Sequence, residues 1–208
     1  MAELEKTRGH KKRAKTRARI LDAGLEVYVA HGAALTVQRV VEKADVSHGT
    51  FYNYFDDLDA LTEAVVLHVL TQVAEAVAAE GAEDPALRFA TATLKVLHVL
   101  AAQPDWARLT LRITANPDFD IEVLTQHLRF DVEDGRRSGR FSETTDDVSV
   151  ELVMGLTLMS IRRISRGTWS PEHGQRVVAR ALIHFGLDPD EAHSIVAAAA
   201  QRVPPTSS

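Results

Sequence analysis

The sequence has 208 residues, of which 45% are hydrophobic and 25% are charged, and its formal net charge is −5. This composition is typical of a globular chain and excludes collagen-like and low-complexity disordered proteins. The absence of cysteine excludes a disulfide framework, a thiolate metal site and a cysteine nucleophile. The longest apolar stretches, such as 153–161, are too short to cross a bilayer, and no apolar run follows the basic N-terminus as a signal peptide requires. We therefore expect a soluble, cytoplasmic protein without membrane contact.

Charge is distributed unevenly along the chain. Residues 1–55 carry 10 Lys and Arg against 6 Asp and Glu, whereas residues 56–208 carry 14 against 23, giving net charges of +4 and −9. Eight basic residues and no acidic one lie in the segment 6–19: Lys6, Arg8, Lys11, Lys12, Arg13, Lys15, Arg17 and Arg19. A basic arm on an acidic body indicates polyanion binding at one end of the molecule, or a solvated tail that aids solubility.

Three short helices are predicted within the first 55 residues. The first spans about 13–30 and has one apolar stripe at helical spacing. Thr36 is the predicted N-cap of the second helix, whose apolar residues recur every three or four positions. Ser47 is the predicted N-cap of the third, in which Phe51 and Phe55 lie one turn apart and can both face a core.

Longer helices are predicted beyond residue 57, because N-caps and prolines recur at their starts and glycines at their ends. The predicted spans are about 58–80, 85–102, 104–115, 118–134, 146–166 with Thr145 as its cap, 171–186, and a last helix from 189. The predicted glycine stops are Gly32, Gly81, Gly135, Gly167 and Gly186. No alternating strand pattern occurs, so we predict an all-α fold of nine or ten helices. Its parts are an N-terminal domain over 1–57, a larger helical domain over 58–203 and a disordered tail over 204–208.

Residues 36–55, TVQRVVEKADVSHGTFYNYF, have the pattern of a helix-turn-helix. The turn falls at 44–46, where Asp45 is the residue that can adopt a left-handed backbone. The outward positions of the second helix are His48, Gly49, Thr50, Tyr52 and Asn53. None is acidic, and all but the glycine can donate hydrogen bonds to phosphates or base edges.

Residues 17–61 resemble the DNA-binding domain of the TetR family of transcriptional regulators. The run V-S-x-G-T-[LF]-Y-x-[HY]-F at 46–55 carries most of the resemblance, which also includes Ile20-Leu21-Asp22-Ala23, Gly32, Thr36-Val37 and Leu61. The resemblance implies a set of sugar-phosphate contacts: Thr36, Ser47, Gly49, Thr50, Tyr52 and Tyr54. We expect His48 and Asn53 to read bases, with Gln38 as a possible addition and Lys15 and Arg17 as contacts from the basic arm. Core packing of the tyrosines and a solvent-facing Asn53 are the alternatives.

Three positions depart from the family pattern. Asp45 stands where the family usually has glycine, and His48 stands where lysine is frequent. Leu58 replaces a phosphate-binding lysine. Its acidic neighbours are Asp56, Asp57 and Asp59. These carboxylates either repel a nearby phosphate backbone or cap the next helix. We expect the basic arm to take over the phosphate contacts and to reach a minor groove.

The resemblance implies that the chain beyond residue 57 binds a small-molecule effector of unknown identity and forms a homodimer. Independently, the segment 152–159 is apolar nearly all round, and such a helix needs cover on both sides. The predicted dimer contacts are Leu152, Gly155, Leu156, Met159, Val178 and Leu182. Such a dimer places two recognition helices roughly 34–36 Å apart on double-stranded DNA and reads a palindromic operator.

The sequence gives weaker evidence for the residues that contact the effector. Aromatic and polar side chains on apolar helix faces can line a ligand cavity, which makes five residues candidates. They are Phe89, His98, Trp106, Arg112 and Phe130. Ordinary core packing is the alternative for each of them, as it is for His127.

No pattern typical of an enzyme occurs: G-x-S-x-G, H-E-x-x-H, the P-loop and G-x-G-x-x-G are all absent, and the 9 histidines are scattered. We therefore expect no catalytic activity, no metal site and no cofactor. The predicted function is that of a ligand-responsive repressor. The alternative is a helical ligand- or protein-interaction module whose degenerate helix-turn-helix no longer binds DNA.

Overall fold

The computed structural model describes residues 2–31, 34–79, 84–115, 119 and 122–203, with side chains from Lys12 onward except at 69, 72–79 and 123. Within these ranges the chain forms ten α-helices and no strand, which confirms the predicted all-α fold. The helices are α1 (Ala2–His31), α2 (Val37–Ala44), α3 (His48–Tyr52), α4 (Leu58–Ala79), α5 (Pro85–Ala102), α6 (Pro104–Thr114), α7 (Glu122–Arg137), α8 (Asp147–Ser165), α9 (Pro171–His184) and α10 (Pro189–Ala200). Among the described residues, no helix combines the length and the apolarity needed to cross a membrane.

The chain divides into two compact units, residues 1–68 and 69–208. This division lies eleven residues after the boundary predicted at 57, because the start of α4 packs into the core of the first unit through Leu61 and Val65. Gly24 of α1 permits this packing, since an added Cβ would lie 3.2 Å from Val65 and 3.3 Å from Leu61.

The second unit is built around α5, which packs against α7, α8, α9 and α10. Three phenylalanine rings lie at the centre of its core. The Phe89 and Phe185 rings are 5.3 Å apart between centroids, and the Phe141 and Phe185 rings are 4.8 Å apart. All three side chains are at most 3% exposed, so this cluster fixes the positions of the surrounding helices.

Most helix ends are set by the local signals that the sequence contains. Asp146 is the N-cap of α8 and forms a capping box with Ser149, so the predicted cap at Thr145 is wrong. The Thr145 hydroxyl is buried and has no hydrogen-bond partner in the described part of the chain. Gly167 and Gly186 follow α8 and α9 with φ of 68° and 98°, which confirms both predicted stops.

Two predicted boundaries need correction. α7 continues through Gly135 to Arg137, so Gly135 does not end the helix. This glycine instead allows the Phe141 ring to pack closely, since an added Cβ would lie 2.8 Å from Cγ of Phe141 and nearer still to other ring atoms. The left-handed glycine after this helix is Gly139, with φ of 70°. α1 begins at Ala2, so the basic arm is helical well before the predicted start at 13. Four other expectations fall outside the described residues: the stops at Gly32 and Gly81, the helix start at 118 and the tail 204–208.

Candidate functional site

The turn between α2 and α3 has a left-handed residue at its centre. Asp45 has φ of 50° and ψ of 55°, the predicted conformation, and is the only non-glycine residue with positive φ in the described ranges. The Arg19 guanidinium donates hydrogen bonds to the carbonyls of Ala44 at 2.5 Å and Asp45 at 3.1 Å. An arginine of the basic arm therefore caps α2 and holds the turn, a structural role that sequence reasoning missed.

The short helix α3 presents an open outward face. Its side chains divide between Phe51, which is fully buried, and Tyr52, which is 53% exposed and meets the Phe51 ring edge-on at 5.3 Å. An added Cβ at Gly49 would meet only the Ser47 hydroxyl, at 3.9 Å. His48, Gly49 and Asn53 are also exposed, whereas Thr50 is half-buried, and no acidic residue lies among these predicted outward positions.

Two hydroxyl groups stand at the start of α3. Oγ of Ser47 accepts the backbone N–H of Thr50 at 3.1 Å, as expected of an N-cap, and lies 2.9 Å from the Thr50 hydroxyl. One hydrogen bond joins the two hydroxyls, so one of their two O–H groups stays free to donate to another acceptor. This arrangement combines a helix cap with a donor for a phosphate oxygen.

The basic arm lies along the end of α3. Arg13 donates to the backbone carbonyl of Asn53 at 3.4 Å, and its guanidinium carbon lies 5.5 Å from the centroid of the half-buried Tyr54 ring. The Arg17 guanidinium carbon lies 5.4 Å from the ring centroid of Phe55. The Asn53 side chain is exposed beside these cations, as is Lys15 of α1. The structure thus places positive charge next to the candidate base-reading residue.

The predicted contacts on α2 are more constrained. Thr36 is exposed, and its hydroxyl accepts the backbone N–H of Arg39 at 3.4 Å as the N-cap of α2. The side-chain amide of Gln38 donates to the carboxylate of Glu42 one turn later. This hydrogen bond uses one of the two N–H donors of the Gln38 amide and holds the side chain along α2.

One residue of the acidic cluster at the start of α4 acts as a cap. The Asp57 carboxylate accepts the backbone N–H of Ala60 at 2.7 Å, which confirms capping as the role of this residue. Leu58, the substitute for the family's lysine, packs against the core of the first unit. Both residues therefore have structural roles.

A cavity of about 120 Å³ lies within the second unit. Its lining comes from α4 to α8 and includes Phe89 of α5, the one predicted effector residue that reaches it, together with Asp131 and His127 of α7. The other predicted effector residues lie outside this lining. They are the half-buried His98, the buried Trp106, the exposed Arg112 and Phe130, which is 62% exposed.

Asp131 is the one carboxyl group among the described residues of the cavity lining and is only 6% exposed. Nε of Arg88 donates to Oδ1 of Asp131 at 2.6 Å, and Nη2 of the same arginine donates to Oδ2 of Asp134 at 2.6 Å. Burial raises the pKa of the Asp131 carboxyl, and the hydrogen bond from Arg88 offsets this only in part. The ion pair fixes the orientation of Asp131 in the cavity wall.

An apolar stripe is exposed along α8. Val148, Leu152 and Met159 are 65%, 43% and 58% exposed, and Gly155 between them has open space where a Cβ would lie. Leu156, another predicted dimer contact, is half-buried beside the stripe. An exposed row of large apolar side chains is typical of an interaction surface.

The two predicted dimer contacts on α9 need correction. Val178 and Leu182 are 0% exposed because they lie in the core of the second unit, so neither is available to a partner. The predicted surface is therefore restricted to the α8 stripe.

The two units match different family models. Residues 20–65 match the bacterial regulatory proteins of the tetR family, and residues 84–198, more than half of the chain, match the tetracyclin repressor-like C-terminal domain. The chain belongs to the TetR family. The resemblance noted at 17–61 is thereby confirmed, and the family match extends into the second unit, where sequence similarity was not evident to us. No curated protein sequence matches the chain.

Solved structures share the fold over 79% to 95% of the chain. RolR in complex with resorcinol is 26% identical, with a TM-score of 0.70 over 95% of this chain and 100% of its own. FadR of Thermus thermophilus, a TetR-family repressor in complex with lauroyl-CoA, is 19% identical to this chain. The two structures match with a TM-score of 0.64 over 83% of this chain and 95% of FadR. FadR of Bacillus subtilis, in complex with stearoyl-CoA, is 17% identical, with a TM-score of 0.59 over 79% and 97%. The chain is a TetR-family transcriptional regulator.

Proposed function

We propose that this TetR-family regulator is a cytoplasmic repressor that binds a palindromic operator as a homodimer. On this proposal, a small molecule in the cavity of the second unit releases the operator. The observation that carries the proposal is the outward face of α3, where His48, Tyr52 and Asn53 are exposed beside the cations of α1. An exposed short helix with donors and flanking cations suits the major groove, because phosphates fix its register and base edges give specificity.

The residues of the helix-turn-helix divide into two proposed roles. His48 and Asn53 read base edges, and Gln38 adds a contact through the amide N–H that its bond to Glu42 leaves available. Sugar-phosphate contacts come from the remaining exposed or half-buried groups: Lys15, Arg17, Thr36, Ser47, Gly49, Thr50, Tyr52 and Tyr54. The free hydroxyl donor of the Ser47 and Thr50 pair and the guanidinium of Arg17 support this division, because phosphate oxygens accept from such groups.

Dimerisation is supported by the stripe on α8. Val148, Leu152 and Met159 leave apolar surface in water that a two-fold related copy can cover with the same surface. Gly155 allows the backbones of two such helices to approach closely at the centre of the stripe. Release of the operator is then explained by a population shift. An effector that binds the non-DNA-binding geometry of the dimer more tightly lowers the population of the DNA-binding geometry.

The experiment that tests this function is selection of bound duplexes from a random DNA pool by the full-length chain, at two salt concentrations. We expect a palindrome whose half-sites lie about one helical turn apart, retained at the higher salt. Retention without sequence enrichment, lost at the higher salt, would instead indicate the degenerate interaction module.

Asn53→Ala is expected to weaken specific operator binding by about 1–3 kcal/mol and to relax the preference at one base pair of each half-site. The bond to Arg13 uses the backbone carbonyl of Asn53, so the substitution leaves it in place. The measurement is competition binding against operators altered one pair at a time. Gln201→Ala removes an exposed amide at the C-cap of α10 and is the matched control. Unchanged discrimination by the Asn53 variant would remove this residue from base readout.

Deleting residues 1–12 is expected to flatten the dependence of operator affinity on salt. Each lost phosphate contact lowers the slope of log K against log salt by about 0.9. Among the described side chains of α1, which start at Lys12, the first that belongs to the core of the first unit is Ile20. A second variant keeps the full length of the chain and replaces four basic residues by glutamine: Lys6, Arg8, Lys11 and Lys12. It distinguishes the effect of losing positive charge from the effect of shortening the chain. An identical slope for the wild type and both variants would exclude the arm from DNA contact.

A further inference from the structure

We propose that the effector is a small, uncharged ring compound with a hydroxyl group that it donates to Asp131. This inference rests on the proposed function, because it specifies the ligand class of the same regulator. Three properties of the cavity carry it: its volume, the chemistry of its lining and the anchoring of Asp131 by Arg88.

The volume limits the ligand to about one ring. The cavity measures about 120 Å³. An engineered apolar protein cavity of about 150 Å³ takes up benzene, so a space of this size suits a six-membered ring and not a long acyl chain. Phe89 and the aliphatic residues of the lining supply the apolar contacts that hold such a ring.

The described part of the lining offers no partner to an anion. Its sixteen residues include no lysine or arginine, and the titratable groups among them are Asp131 and His127. A carboxylate or phosphate entering this space would lose its hydration without gaining a cation and would lie near the Asp131 charge. The lining therefore selects against anionic ligands such as acyl-CoA.

The lining also favours a ligand that donates a hydrogen bond. Two of the four threonines in the described lining, Thr110 and Thr157, already donate their hydroxyl protons to backbone carbonyls in their own helices, at 2.8 and 2.9 Å. Asp131 is an acceptor when ionised, and Arg88 occupies one of its oxygens at 2.6 Å. We assign its remaining acceptor capacity to the ligand hydroxyl.

Arg88 makes the site selective for a neutral donor. Its guanidinium already pairs with Asp131, so a cationic ligand would lose its hydration to reach a carboxylate that has a cation partner. His127 lies one helical turn before Asp131 on α7 and also lines the cavity. A second polar group on the ring can therefore meet the imidazole, which favours hydroxylated aromatic rings.

The test is calorimetric titration of the full-length chain with phenol, resorcinol, benzoate, benzylamine and lauroyl-CoA. We expect phenol and resorcinol to bind, and the three charged compounds to bind at least tenfold more weakly. Asp131→Asn should weaken phenol binding about tenfold, because the charge-assisted hydrogen bond is lost while the shape is kept. Asp134→Asn is the matched control, since Asp134 also binds Arg88 but does not line the cavity. It should leave phenol affinity unchanged.

A second variant separates binding in the cavity from binding elsewhere. Ala92→Leu adds apolar bulk to the cavity wall without changing its charge and should abolish phenol binding. The inference is overturned if both ring hydroxyl compounds fail to bind, if benzoate, benzylamine or lauroyl-CoA binds as tightly, or if Asp131→Asn and Asp134→Asn behave alike. Because calorimetry uses no DNA, the ligand test and the operator selection are independent. A negative result in calorimetry does not contradict an operator found by selection, and a failure to find an operator does not contradict ligand binding.

Discussion

Replacing Leu152 and Met159 by aspartate is expected to convert the proposed dimer to monomers and to lower operator affinity by about 100-fold or more. Both side chains lie in the exposed stripe of α8, where they are 43% and 58% exposed. A carboxylate that is buried against a second apolar stripe has no cation to compensate its charge. The free energy of dimerisation therefore becomes less favourable by several kcal/mol. A monomer then contacts one half-site and forfeits the advantage of linked binding, which is about 10² to 10⁴ in affinity.

The measurement is the molar mass of the variant in solution together with operator titration. Its matched control carries aspartate at Ala197 and Ala198, two exposed positions on α10. The control adds the same charge to another apolar surface and should stay dimeric with unchanged affinity. A variant at Leu152 and Met159 that retains the dimeric mass would show that the copies associate through another surface.

Gly135→Ala is expected to lower the free energy of unfolding of the second unit by about 3 kcal/mol. This value lies at the upper end of the usual cost of adding a group to a well-packed core. The new methyl group would overlap the ring of Phe141, whose Cγ lies 2.8 Å from the Cβ position. The ring has little room to move, because Phe141 is 3% exposed and packs at 4.8 Å from Phe185. Unfolding in urea, followed by tryptophan fluorescence, reports this unit, since both tryptophans of the chain lie in it.

A double-mutant cycle supplies the control. Phe141→Leu removes most of the ring that the methyl group meets, so Gly135→Ala should cost much less free energy in that background. Equal costs in the two backgrounds would show that the effect comes from the helical backbone and not from the contact between these two residues.

The sequence was sufficient to predict the features that depend on neighbouring residues. Ser170 before Pro171 and Asp188 before Pro189 mark helix starts, because a cap and an N1 proline act within one turn. Asp45 was predicted to be left-handed because the turn requires it. Gly135 was misassigned as a stop because a packing glycine and a terminating glycine look alike until the partner ring is known.

Long-range contacts limited prediction of the site. The outward face of α3 followed from local spacing. Arg19 was counted only among the eight basic residues of the arm, yet it caps α2 across 26 residues of chain. Arg88 and Asp131 are 43 residues apart, and no periodicity relates them. Val178 and Leu182 were placed at a dimer surface because an apolar helix face does not reveal whether its cover comes from the same chain.

The two hydrophobic cores share no residue, so thermal denaturation need not be a single transition. The first unit spans 68 residues and the second 140, and a smaller unit buries a smaller fraction of its surface on folding. We expect the first unit to melt at the lower temperature and to dominate local unfolding and proteolytic nicking at 37 °C. Calorimetric scans should then show two peaks, and warming should abolish operator recognition while the larger unit still binds its ligand.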